Sequence, residues 1–433
     1  MSADAPDDLL SRHRAVLPSW MTVYYDRPIE IVSGSGCRVT DADGRTYLDF
    51  FAGVLTSMVG YNNPEVREAV QRQLATGVVH TTTLYLIRAQ VELAEKIARV
   101  SGIPDARVFF TTSGTEATEA ALLVTTNYRR SNQILAVRNS YHGRTYAAMG
   151  VTGVRSWSAS ALTPLNVSWL HSGDRLRGVF AGLDDAAHVR AAVADLREVL
   201  ATTTSGDVAC LIAEPIQGVG GFVHGPDGLF AALKEVLDEH GILFVSDEVQ
   251  TGWGRTGAHF WGYQAHGVTP DLLTFAKGIG NGFTLGGVVG RAEVMDAVEA
   301  ISFSTFGGNP LSTAAGNAVL DFVLSRDLQS NAARVGAILH DGLRAAAERS
   351  PIVAEVRGRG LMLAVELVEP GTLTPSPRLT ARVFEECRRG GLLIGRGGLY
   401  GNVVRMGPPL TLTEAEAKEG LEILTAAIAT AAG

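Results

Sequence analysis

Two charged residues stand at the ends of apolar runs, where charge is expensive. Ile242-Leu243-Phe244-Val245-Ser246 runs into Asp247, and Leu272-Leu273-Thr274-Phe275-Ala276 runs into Lys277. Each run predicts a buried strand, and an isolated carboxylate or ammonium at its end is costly unless something pairs with it. Taken singly, Asp247 is more often a loop cap or an ion-pair partner, and Lys277 a solvated lysine where a strand ends. The pair, each followed by a glycine-rich turn, suits one ligand. A cationic ring nitrogen would face the acid and an electrophilic aldehyde would meet the amine, and pyridoxal 5'-phosphate carries both.

Other strand ends carry comparable residues. Val108-Phe109-Phe110 predicts a short strand that leads into Thr112-Ser113-Gly114-Thr115-Glu116 and a helix to about Tyr128. Ser113 with Glu116 three residues later is a capping box. A helix start with free N–H groups and a glycine attracts phosphate. Gln133-Ile134-Leu135-Ala136-Val137 predicts a strand before Tyr141-His142, and Val208-Ala209-Cys210-Leu211-Ile212-Ala213 one ending on Glu214. Near the C-terminus, Asn402-Val403-Val404-Arg405 ends a strand on an arginine, whose planar fork matches a carboxylate.

The wording of these segments resembles the class III (subgroup II) aminotransferases, nearest to the alanine:glyoxylate type. The likeness is carried by Asp247-Glu248-Val249-Gln250-Thr251-Gly252-Trp253-Gly254-Arg255-Thr256-Gly257, by Ala276-Lys277-Gly278-Ile279-Gly280-Asn281-Gly282, and by Phe303-Ser304-Thr305-Phe306-Gly307-Gly308-Asn309-Pro310. The resemblance implies an α/β chain of pyridoxal-phosphate fold type I, with a mostly parallel central sheet in a large domain and a smaller α+β domain built from both chain ends. It places domain limits at 1–65, 66–309 and 310–433. It implies an internal aldimine on Lys277, with Asp247 keeping the ring nitrogen protonated, Val249 under the ring and Gln250 on its phenolic oxygen. Ser113, Gly114 and Thr115 would hold the phosphate, Tyr141 would lie over the ring, His142 would shape the pocket, and Glu214 would support the site from below. Thr305 would reach the neighbouring subunit's phosphate in a homodimer.

For substrates, the resemblance implies a pocket edged by Tyr24 and Val54, with Arg405 as carboxylate clamp. Val219 stands where ornithine- and 4-aminobutyrate-type relatives carry a glutamate that screens this arginine. Tyr61 and Asn63 stand where relatives usually have histidines. The expected activity moves an amino group from an amino acid to a keto acid such as pyruvate or glyoxylate. Alternatives from the same chemistry are a phospho-lyase, a decarboxylase, and a transaminase of omega-amino acids or 4-aminobutyrate. A cofactor-free scaffold is disfavoured because every expected chemical position is occupied.

Composition bounds the rest. With 433 residues, 46% apolar and 19% charged, the chain reads as a folded protein too long for one typical domain. A net charge of −8 without basic runs argues against nucleic acid or anionic membrane as partner. Cys37, Cys210 and Cys387 are far apart and lack metal spacing, which predicts reduced thiols, no metal centre and a cytoplasmic protein. The acidic start, residues 1–8, has no apolar core of the kind a signal or transit peptide needs.

Overall fold

The computed structural model of the chain describes residues 9–160 and 162–433; the acidic start, 1–8, lies outside the described residues. Fifteen strands follow in chain order. β1 (Ile31–Ser35), β2 (Arg38–Asp41) and β3 (Thr46–Asp49) open the fold. β4 (Ala106–Thr111), β5 (Gln133–Val137), β6 (Asn166–Leu170), β7 (Val208–Ala213), β8 (Leu243–Asp247), β9 (Leu272–Phe275) and β10 (Gly286–Arg291) come next. β11 (Val353–Arg359), β12 (Met362–Leu367), β13 (Leu392–Leu393), β14 (Gly395–Gly397) and β15 (Val403–Met406) complete the set.

The middle seven form one sheet in the order β4-β10-β9-β8-β7-β5-β6. Only β10 runs against its neighbours; β4 is antiparallel to β10 and therefore points the same way as β9. Side chains alternate cleanly between two cores. Leu135 and Val137 of β5 and Phe244 of β8 face the layer of helices Asp185–Thr202 and Leu229–Glu239, whereas Ile134, Ala136 and Val245 face helix Gly114–Arg129. Burial on both faces is why these strands read as continuous apolar runs rather than as alternating ones. It also leaves Asp247, the one charged residue of β8, at the end of its strand.

The two smaller sheets tie the chain ends together. β13 pairs in parallel with β3, so a C-terminal segment completes the N-terminal sheet β1-β2-β3-β13. The hairpin that β2 and β3 form around Asp41-Ala42-Asp43-Gly44 is thus part of a larger four-stranded sheet. β11-β12-β15-β14 forms the other, and carries Arg405 on β15.

Some expectations need correction. Four-residue spacing in the sequence would put Leu74 with Val66 and Val70 on one apolar face, but Leu74 is exposed while Val66 and Val70 are buried. It sits one residue from the end of helix Pro64–Ala75, past the edge of the packed surface. The stretch from Trp157 to about Ala187 reads from its sequence as loop, yet it contains β6, whose Asn166-Val167-Ser168-Trp169-Leu170 mixes polar and apolar residues because it is an edge strand.

One buried acid fixes the turn that leaves β8. Glu248 accepts from Ser246 Oγ at 3.0 Å, Thr251 Oγ1 at 2.5 Å, Gly262 N at 2.8 Å and Tyr263 N at 2.8 Å. A carboxylate so fully bonded clamps the loop after Asp247 to the segment 262–263. Glu248→Ala would strand all four donors in the interior, and is expected to destabilise the protein by roughly 3 kcal/mol. A lowered urea midpoint is the measurement that checks this.

Candidate active site

Parallel strands present their carboxyl ends at one edge of a sheet, which is where ligands of open α/β folds bind. In this chain β4 leads to Ser113, Gly114 and Thr115, β5 to Tyr141 and His142, and β7 to Glu214; β8 ends on Asp247 and β9 stops just short of Lys277. Residues spread over most of the large sheet's sequence are therefore gathered by strand direction alone.

The helix start beside β4 has free donors. Ser113 Oγ accepts from Glu116 N at 3.4 Å, but the Glu116 carboxylate turns back to Thr112 N and Thr112 Oγ1, each at 2.8 Å. The expected box is thus only half closed on Ser113. The Gly114 and Thr115 amides make no hydrogen bond among the described residues. A Cβ on Gly114 would sit 3.2 Å from Val249 Cγ1, so the glycine brings this helix start close against the loop that follows Asp247. The Thr115 hydroxyl accepts from Arg144 N at 3.0 Å and Thr145 N at 3.3 Å, and so anchors the loop after Tyr141.

At the centre lies a buried acid pair. Asp247 Oδ2 is 2.6 Å from His142 Nδ1, and Asp247 Oδ1 accepts from Thr274 Oγ1 and Val249 N, both at 3.1 Å. This direct bond makes His142 more than a shaping residue. No local pattern could have revealed it, because the partners come from strands separated by a long stretch of chain. His142 Nε2 and Gln250 Oε1 are buried without a partner among the described residues. Glu214 accepts from Tyr141 N and Gly218 N, each at 2.8 Å. Burial pushes its carboxyl up to about 7, with Asp247 pushing further and His142 opposing.

Lys277 is held on left-handed backbone at φ 52°, which a side-chain-bearing residue seldom adopts. Its amine has no hydrogen-bond or ion-pair partner among the described residues. Burial lowers its pKa; Asp247 and Glu214 act in the opposite sense, and Arg405 adds to the lowering. These four charged groups therefore feel one another across a single cleft.

Arg405 lines that cleft as a buried guanidinium, 2% exposed, with no carboxylate partner among the described residues. Its Nε and Nη2 donate to Arg396 O at 3.1 and 2.9 Å, and Nη1 to Gly218 O at 2.9 Å. Val219 is buried and its carbonyl accepts from Gly398 N at 2.9 Å. Tyr24 is partly exposed and its ring lies 6.1 Å from that of Phe51, while Val54 sits in a left-handed turn, 37% exposed. Thr305 is exposed in the segment 301–306 and bonds to none of these residues. Tyr61 and Asn63 hold structure instead of standing in for the histidines of relatives. Tyr61 OH donates to Asp49 Oδ2 at 2.6 Å, and Asn63 caps helix Pro64–Ala75 by accepting from Glu65 N and Val66 N.

The donor set suits pyridoxal 5'-phosphate. Two unused amides at a helix start match a phosphate, an acid faces a ring nitrogen, an unpartnered amine of lowered pKa matches an aldehyde, and Gln250 Oε1 and His142 Nε2 are polar atoms left over for the remainder. Such a site on a mostly parallel sheet defines a pyridoxal-phosphate enzyme of fold type I.

Comparison with known proteins narrows the class. The sequence profile of the class-III aminotransferases matches residues 21–428, and the chain belongs to that family. It is 42% identical to the mitochondrial alanine–glyoxylate aminotransferase 2 homolog 2 of Arabidopsis thaliana over 95% of this chain and 85% of that protein. Against the human mitochondrial alanine–glyoxylate aminotransferase 2 the identity is 32%, over 97% of this chain and 86% of that one. Among solved structures, a thermostable (S)-enantioselective omega-transaminase from Thermomicrobium roseum superposes with a TM-score of 0.91 at 32% identity, over 100% of each chain. A phospholyase from Arthrobacter, in complex with phosphoethanolamine, superposes with a TM-score of 0.89 at 35% identity, over 98% of this chain and 100% of that one. The chain is a pyridoxal-phosphate-dependent aminotransferase.

Two outcomes are expected. Lys277→Ala leaves no cofactor absorbance that borohydride can fix to the protein. Glu214 has a folded pKa above that of the unfolded chain, so the folded state binds the extra proton and stability falls as pH rises from about 4.5 to about 7. In the cofactor-free protein this decline should be smaller for Glu214→Gln than for the native sequence, as read from thermal midpoints across that range.

Proposed function

We propose that the enzyme transfers the amino group of a small α-amino acid, alanine foremost, to glyoxylate or pyruvate. The observation that carries this reading is Arg405, a buried guanidinium with no acid among the described residues to neutralise it. A substrate carboxylate supplies the missing charge, and the fork bonds both its oxygens. Val219 offers no competing acid, which argues against the omega-amino acid and 4-aminobutyrate alternatives. The names of the alanine–glyoxylate relatives support the same choice.

In this reading Lys277 would hold the cofactor aldehyde, Asp247 its ring nitrogen and the helix start at Ser113, Gly114 and Thr115 its phosphate. Tyr141 and Val249 would flank the ring and Gln250 would bond its phenolic oxygen. Once bound, the cofactor supplies an electron sink for the carbanion formed at the substrate α-carbon. Lys277 Nζ, once free, would take the α-proton and deliver it to the carbon that carried the aldehyde; its burial lowers its pKa and so favours the neutral amine that this task needs. Asp247, steadied by His142 Nδ1, Thr274 Oγ1 and Val249 N, keeps a negative charge opposite the ring nitrogen. Arg405 fixes the substrate carboxylate and with it the direction of the α-proton, so it contributes to rate as well as affinity. Tyr24 and Val54 edge the entrance.

A homodimer fits this reading, with Thr305 reaching the partner's cofactor site. Support comes from an exposed apolar strip that includes Leu84, Tyr85, Leu86, Ile301, Phe303 and Phe306, with Leu86 96% and Ile301 92% exposed. So much apolar surface on a folded chain is normally covered.

The decisive test is spectral. Alanine should convert the bound cofactor to its amino form with one equivalent of pyruvate released, glyoxylate or pyruvate should restore it, and repeated turnover with release of ammonia in the absence of any acceptor would instead indicate elimination. Arg405→Leu is expected to lower kcat/KM for alanine about a hundredfold, from the loss of charge-assisted bonds. Leu86→Glu is expected to shift sedimentation equilibrium from dimer towards monomer.

A further inference from the structure

Arg405 is not merely buried; it is caged between two aromatic rings. Its guanidinium carbon lies 5.5 Å from the ring centroid of Phe51 and 5.5 Å from that of Phe222, within the range of cation–π attraction. Two carbonyls take three of its donor contacts. A guanidinium has five N–H groups, so two remain. A Cβ on Gly397 would lie 2.5 Å from Arg405 Nε, so even the neighbouring strand closes on the side chain. The guanidinium is thus bounded by two rings, two carbonyls and a neighbouring strand.

Both rings are mounted on unusual backbone. Phe222 has φ 57°, and Phe51 directly precedes a left-handed turn in which Ala52, Gly53, Val54 and Leu55 have φ of 48°, 62°, 66° and 65°. Left-handed backbone is costly for side-chain-bearing residues and worst for a β-branched one such as Val54. The turn survives because Asp49 Oδ1 accepts from Phe51 N at 2.8 Å and Ala52 N at 2.9 Å, while Tyr61 OH holds the other oxygen. Leu55 and Phe222 then share one small buried cluster with Ile216 and Met362, which locks the two supports together. Strain of this kind persists where surrounding contacts over-determine it, and it concentrates at ligand clamps.

We propose that Phe51 and Phe222 are specificity-determining residues that fix Arg405 as a permanent cation, so that both amino donor and acceptor must bring a carboxylate. The rings offer negative faces that ease burial of the charge yet cannot neutralise it, as an acid would. A substrate with an apolar group in place of the carboxylate meets an immobile, unpaired charge. The proposal rests on the amino-transfer reading above and adds the substrate class that the site rejects.

The test compares alanine with propan-2-amine, in which a methyl group replaces the carboxylate, in the holoenzyme and its Phe51→Leu, Phe51→Tyr and Phe222→Leu variants. Phe51→Leu should raise KM for alanine about tenfold with a much smaller change in kcat, and should narrow the preference for alanine over propan-2-amine. Phe51→Tyr, which keeps the ring face, should behave like the native enzyme. An unchanged alanine KM in Phe51→Leu, or an equal loss in Phe51→Tyr, overturns the proposal. If Phe51→Leu does not fold, Phe222→Leu gives the same reading. Calorimetric titration of the cofactor-free protein with propionate supplies a second measure, in which Phe51→Leu should bind about tenfold more weakly. Failure of the native holoenzyme to use any carboxylate donor would remove the amino-transfer reading, while the propionate result would still decide whether the rings fix the arginine.

Discussion

The cost of keeping charge out of water governs this molecule. Asp247, Glu214, Lys277 and Arg405 all sit where water is largely excluded, and their mutual influence is visible in the direction in which each shifts another. A sheet buried on both faces leaves only its strand ends for polar chemistry. The packed layers on either side hold those ends rigidly enough for the cost to be worth bearing. Glu248 shows the contrasting solution: with four donors satisfied, the same kind of carboxylate is inert structure.

The unsatisfied members are the informative ones. Buried polar groups in proteins are nearly always paired, so Gln250 Oε1, His142 Nε2 and the guanidinium of Arg405 indicate what the site is built to meet. The Gly114 and Thr115 amides belong to the same set. The class-III aminotransferase family accounts for the cofactor; around Arg405 two rings stand where an acid could.

Much of the large sheet could be read from the residues alone. β5, β7, β8 and β9 are short apolar runs bounded by polar turns, and Asp247 and Lys277 stand out because each ends such a run. The half-closed cap at Ser113 was less accessible, since it depends on the Glu116 side chain choosing Thr112. The His142–Asp247 bond and the aromatic cage of Arg405 left no sequence signal at all. Each joins residues far apart in the chain, through register and ring placement that periodicity does not encode. β6, at the sheet edge, escaped notice because its sequence lacks the apolar continuity of its neighbours.

The pairing of β13 with β3 bears on how the chain is made. In the growing chain β1 to β3 are made more than three hundred residues before residues 392 and 393, and until those emerge the β3 edge lacks its partner. An open edge that long in a nascent chain invites pairing with other chains. A truncation that removed the last quarter of the protein would therefore harm the beginning of the fold as much as its end.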